Sequence, residues 1–100
     1  MINRHAKGVR YEREFELILQ ERGYKTFKPT WNKFNKNKDV FNLFDILAIS
    51  SKELLMVQVK SNYCPKQVKE QLRDFKVPKN IVKLLAVKID RKGWTEEVIK

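Results

Sequence analysis

Apolar positions along the chain change period several times, and each change marks an element. Over residues 6–22 the spacing is helical: at about 100° per residue Tyr11, Phe15, Ile18 and Leu19 fall on one stripe, and Gly23 supplies the stop. Residues 1–5 are polar and read as loose. Residues 24–28 read as a short strand closed by Pro29, and residues 30–43, rich in Asn and Lys with Trp31, Phe34 and Phe41 interleaved, hold neither period and read as a long loop. Two β-rich runs follow, residues 44–50 and 53–60, separated only by Ser51 and Lys52. That is the pattern of an antiparallel hairpin. Pro65 suits the first turn of a second helix, with a seam at Val68, Leu72 and Phe75 and an end at Pro78. A strand over 81–89 shows Leu85, Val87 and Ile89 in alternation, and Arg91-Lys92-Gly93 turns into a short tail with Trp94, Val98 and Ile99. The order α, β, β, β, α, β predicts an α+β fold, a mixed β-sheet with flanking helices, in one domain over 1–100.

The hairpin carries polar residues where a core hairpin does not need them. With a turn centred between Ser51 and Lys52, paired positions sum to 103, so Ser50 faces Glu53 and Asp45 faces Gln58. Side chains repeat every second residue, which puts Lys60 on the face of Gln58, diagonal to Asp45. A carboxylate, a carboxamide and an ammonium then meet at one end of the hairpin. The reading rests on parity: an odd-numbered turn flips Asp45 to the other face.

Charge narrows the partner. Twenty-two Lys+Arg against 12 Asp+Glu leave a formal charge of +10 on 100 residues, which favours a polyanion, nucleic acid above all. Lys33, Lys36 and Lys38 in the long loop suit phosphates, and Trp31 or Phe34 suits a base. Lys66, Lys69 and Arg73 give the second helix a basic face. Cys64 is the only cysteine, which excludes an intrachain disulfide, and no apolar run is long enough to span a membrane. The expectation is a soluble, cytoplasmic, DNA-associated protein.

Phosphodiester hydrolysis needs oxygen ligands for Mg²⁺ or Mn²⁺, a water to attack and a cation near the developing charge. Asp45 offers a carboxylate, Gln58 an amide oxygen, Val59 a backbone carbonyl, and Lys60 the cation. Of the first helix's acids, Glu12 and Glu14 border the apolar stripe and Glu16 points further into solvent. Helical geometry alone does not choose between Glu12 and Glu14. No HExxH, CxxC, phosphate-binding glycine loop or GxSxG is present, so zinc protease, redox, nucleotide hydrolase and α/β-hydrolase chemistries lack local support.

Lys7-Gly8-x-x-Tyr11-Glu12-Arg13-Glu14-Phe15, then Phe44-Asp45-Ile46-Leu47-Ala48, then Val57-Gln58-Val59-Lys60-Ser61, with Ala86-Val87-Lys88 and Gly93-Trp94 behind them, resemble the archaeal-type Holliday junction resolvases of the PD-(D/E)xK nuclease superfamily. The resemblance implies a restriction-endonuclease-like fold and a divalent-metal-dependent endonuclease acting on branched DNA, such as a four-way junction, as a homodimer. It selects Glu12 as the helix carboxylate, Asp45 as the central metal ligand, position 58 as the second acidic ligand and Lys60 as the catalytic lysine. Arg4, Lys7 and Arg10 join the basic residues above as DNA contacts. Two departures stand out: position 58 is Gln where these resolvases usually have Glu, and the connection from Glu12 to Asp45 is longer than usual. A nicking, flap or restriction-type nuclease of the same fold, or a DNA-binding module with a decayed metal site, are the alternatives.

Overall fold

The computed structural model describes residues 4–28 and 43–100. Trp31, Lys33, Phe34, Lys36, Lys38 and Phe41, and the side chain of Arg4, lie outside the described residues. The elements are α1 (Arg4–Glu21), β1 (Lys25–Phe27), β2 (Ile46–Ile49), β3 (Leu54–Ser61), α2 (Lys66–Asp74), β4 (Ile81–Ile89) and β5 (Gly93–Ile99). Arg4 and His5 are helical rather than loose. The expected tail is a fifth strand: its consecutive Glu96 and Glu97 break the apolar alternation, but both are exposed on an edge strand, where acids are well tolerated.

The stop at Gly23 has a physical form. Gly23 sits at φ 98°, its N–H reaches the Gln20 carbonyl at 3.0 Å, and the Tyr24 N–H reaches the Leu19 carbonyl at 3.1 Å. This is the Schellman arrangement, completed by Tyr24 packing on the cluster that holds Leu19. It turns the chain directly into β1. At the hairpin, Ser50 donates its N–H to Glu53 at 2.9 Å, while its Oγ accepts the N–H groups of Lys52 and Glu53. The two-residue turn and its register of 103 follow, from Ile46 opposite Val57 to Ile49 opposite Leu54.

The strands form one sheet in the order β1-β2-β3-β4-β5, antiparallel except at the parallel β3–β4 joint, where α2 makes the crossover. Each face buries one helix. Tyr11, Phe15 and Leu19 of α1 pack on Ile46, Ala48, Leu55, Val57, Val59, Leu84 and Ala86. Leu72 of α2, with Val68 and Phe75, packs on Phe44, Met56, Leu85, Val87 and Ile99 across the sheet. Helix α2 ends at Asp74, four residues before Pro78. Phe75 is extended at φ −79°, ψ 102°, with its ring edge-on to Phe44 at 5.4 Å, and the Lys83 ammonium takes the carbonyls of Leu72, Arg73 and Phe75. Those carbonyls have no partner inside the helix, so a buried cation there acts as the cap.

Gly8 within α1 and Gly23 just past its end predict opposite effects. Gly8 is mid-helix with nothing within 4 Å of an added Cβ, so Gly8→Ala should stabilise by about 0.5–1 kcal/mol through the unfolded chain. Gly23 has equal space but a left-handed φ, so Gly23→Ala should destabilise by about 1 kcal/mol. Urea denaturation midpoints of the two variants check both signs.

Candidate active site

The hairpin register holds through Ile46 and breaks at Asp45. Extrapolated, it sets Asp45 opposite Gln58; instead the Asp45 N–H donates to the Val57 carbonyl at 2.7 Å, although Val57 is already the partner of Ile46. Two residues on one strand answer to one on the other, which is a β-bulge. The core agrees: Ile46 packs under α1 and Phe44 under α2, whereas uninterrupted alternation would put both on one face. The expected direct opposition of Asp45 and Gln58 is thus corrected by one extra residue.

The bulge gives Asp45 a different hold on β3. Its Oδ2 accepts the Val59 N–H at 2.7 Å, so Asp45 meets the backbone on both sides of Gln58. The Gln58 Nε2 lies 3.4 Å from the Val59 carbonyl. Asp45 is 7% exposed and Gln58 8%, so both polar groups sit inside the fold's surface. A buried carboxylate is costly unless its oxygens are met by donors, and the Val59 N–H is one. Asp45, Gln58 and Val59 therefore form one hydrogen-bonded unit.

Lys60 is one strand repeat beyond Gln58. The parallel register sets Gln58 beside Leu85 and Lys60 beside Val87, both on the α2 side of the sheet. Glu12 is on the other side, on α1, where it pairs with Lys28 Nζ at 3.5 Å. Lys28 directly follows Phe27, whose partner is Leu47, so this pair stands at the end of β2 that carries Asp45. Glu12, Asp45, Gln58 and Lys60 thus lie at one end of the sheet, with Glu12 on the α1 side and Gln58 and Lys60 on the α2 side, whereas Arg73 lies toward the other end.

The contacts of α1 sort Glu12, Glu14 and Glu16. Glu14 faces β4 and β5: its Oε1 accepts Lys88 Nζ at 2.6 Å and Trp94 Nε1 at 2.9 Å, and these bonds lower its pKa. Glu16 does not point to solvent as expected but accepts the Thr26 hydroxyl at 2.8 Å. Glu12, paired with Lys28, is left as the carboxylate on the β1–β2 side of the sheet, the side of Asp45.

A second network holds that end together, and sequence reading missed it. Asp90 Oδ1 accepts the Tyr11 hydroxyl at 2.8 Å, while Oδ2 accepts Lys7 Nζ at 3.1 Å and Asn62 Nδ2 at 3.2 Å. The Asp90 N–H returns to Asn62 Oδ1 at 3.0 Å. Asn62, at φ 67°, follows Lys60 by two residues, and Tyr11 precedes Glu12. Asp90 thereby ties the helix bearing Glu12 to the strand exit bearing Lys60. Lys7 is committed to Asp90 and Lys69 to Glu97 at 3.1 Å, whereas Arg10, Lys66 and Arg73 are exposed. The one available signal was three separated polar residues, Tyr11, Asn62 and Asp90, with no spacing rule to join them.

A mixed five-stranded sheet covered by one helix on each face has the restriction-endonuclease-like fold. Residues 3–99 match the family model of the archaeal Holliday junction resolvases (Hjc), and the chain belongs to that family. No curated protein matches the sequence. Among solved structures, that of the Holliday junction resolvase Hjc from the archaeal hyperthermophile Archaeoglobus fulgidus superimposes with a TM-score of 0.67 at 24% identity, covering 92% of this chain and 72% of that one. Membership makes this chain a divalent-metal-dependent endonuclease of branched DNA. Among the described residues no helix is long and apolar enough to cross a membrane.

The Asp90 network predicts an acid limit. Hydrogen bonds from Tyr11, Lys7 and Asn62 lower its pKa to about 2, so the unfolded chain takes up this proton at higher pH than the folded one. The stabilisation is complete above the ordinary carboxylate pKa of about 4 and disappears as pH falls toward about 2. In Asp90→Asn that part of the slope should vanish, as read from denaturation midpoints between pH 5 and 2.

Proposed function

We propose that the chain cuts four-way DNA junctions with Asp45, Gln58 and Lys60 on the hairpin and Glu12 on α1, and that Mg²⁺ or Mn²⁺ is the cation. The supporting observation is the bulge: Asp45 is fixed against the Val59 N–H at 2.7 Å beside the Gln58 side chain. The donor chemistry suits a small hard cation, since Asp45, Glu12, the Gln58 amide oxygen and the Val59 carbonyl are all oxygen donors. Among the described residues no three of His, Cys, Asp and Glu gather into a metal-binding group.

A divalent cation at this end would polarise the scissile phosphate and lower the pKa of water. The protein's own groups do the rest. Asp45 and Glu12 supply two negative charges, Gln58 contributes a dipole in place of a third, and Lys60 places an ammonium where charge develops on the phosphoryl oxygens. The missing charge weakens cation binding relative to a site with Glu at position 58. Paired cuts in a symmetric junction call for two such sites, hence a homodimer. The whole chain, 1–100, then acts as one nuclease domain.

Asp45→Asn, which keeps an oxygen for the Val59 N–H, should lower junction cleavage about a thousandfold while DNA binding persists. Gln58→Glu should lower the Mg²⁺ concentration needed for half-maximal cleavage and tighten Mg²⁺ binding measured calorimetrically without DNA. Unchanged cleavage by Asp45→Asn would rule out the assignment. Paired nicks on four-way junctions, set against cutting of flaps or linear duplex, distinguish resolvase from flap or restriction-type action.

A further inference from the structure

At the end of the sheet opposite Asp45 lies a groove that the site above does not use. It is lined by Val77, Pro78, Ile81, Val82, Val98 and Ile99, and rimmed by Arg73, Lys76 and Lys79, all three exposed. No ion pair among the described residues involves these three cations, whereas Lys7, Arg22, Lys28, Lys69 and Lys88 are each paired with an acid. The groove adjoins the C-terminus of α2, and a helix C-terminus ordinarily repels anions. Lys83 reverses this. Only 4% exposed, it donates to the Phe75 carbonyl at 2.7 Å and the Arg73 carbonyl at 3.3 Å, so the negative end of the helix is met by a buried positive charge. The connection carrying the lysines is also held in place, by the Leu54 N–H on the Asn80 carbonyl and the Ile81 N–H on the Pro78 carbonyl.

We infer that this groove is a second docking point for the DNA phosphate backbone, taking an arm of the branched substrate away from the point of cutting. The inference rests on the nuclease reading above and adds where an uncut arm lies. The parallel register places Leu54 beside Ile81 at the groove and Lys60 beside Val87 at the site, six residues apart. At about 3.3 Å per residue the two ends are about 20 Å apart. A duplex advances about 3.4 Å per base pair, so an arm reaches the groove only when it extends about six base pairs or more from the junction centre. Phosphate is the fitting occupant because the lining of the groove carries cations and no acid, and the neighbouring Asp74 acts on the buried Lys83.

The test is the double variant Lys76→Ala/Lys79→Ala, whose native side chains are exposed and form no ion pair among the described residues. Binding to four-way junctions is measured against salt, with arms of about 20 and of about 4 base pairs. On long arms the slope of log affinity against log salt should become shallower by about 2, near 0.9 for each phosphate that the variant no longer neutralises. On short arms native and variant slopes should agree. Equal slopes on long arms, or the same reduction on both lengths, would overturn the inference. So would a change of the DNA-free protein from dimer to monomer in the variant, which makes the groove an interface between copies. Arm-length-dependent binding by a native protein that cuts no branched DNA counts against the catalytic assignment and leaves the groove standing.

Discussion

The bond from the Val59 N–H to Asp45 Oδ2 sets the terms for the end of the fold that carries the candidate site. A carboxylate only 7% exposed must have a donor, and the donor here is the backbone of the strand that also carries Gln58 and Lys60. The position of Asp45 is therefore not a matter of side-chain rotamer alone. It is fixed by an extra residue at the entry to β2, which re-aims the chain as bulges do. The same extra residue sends Phe44 to the opposite core from Ile46, so the bulge is held by packing as well as by hydrogen bonds.

Helix α1 divides its charge between two tasks. Glu14 and Glu16 are bound by side chains of the sheet and secure the helix at both flanks, while Glu12 stands at the end where Asp45 enters. Tyr11, one residue earlier, reaches Asp90, and Asp90 reaches Asn62 beyond Lys60. Movement of α1 along its axis would break the Tyr11, Glu14 and Glu16 hydrogen bonds together.

Much of this was legible in the residues, and the failures have a common cause. The helix stripe, the two-residue turn and the 103 register come from local periods and hold in the structure. Phe44-Asp45-Ile46 alternates as cleanly as the residues after it, so no period announces the bulge. Only the need to bury Phe44 under α2 does, and that is a tertiary demand. The fifth strand was hidden for a related reason: an exposed edge carries acids that sequence patterning assigns to a tail. The Asp90 network joins positions 11, 62 and 90, and no local rule connects residues so far apart. Glu12 was favoured over Glu14 by family resemblance alone; in the structure Glu14 is bound by Lys88 and Trp94 and Glu12 is paired with Lys28.

The parallel joint between β3 and β4 has a consequence for how the chain reaches this shape. β2–β3 and β4–β5 are antiparallel pairs closed by short turns, whereas β3 and β4 meet only after α2 has carried the chain back along the sheet. Closing that connection costs more chain entropy than closing either short turn, and parallel pairing is slow for this reason. Asp45, Gln58 and Lys60 lie wholly within the first hairpin, so their register is set locally. The basic groove draws on α2, β4 and β5, and the Asp90 clasp spans the joint itself. The register of the candidate site thus depends on closing one short turn, whereas the groove and the clasp depend on closing the whole sheet.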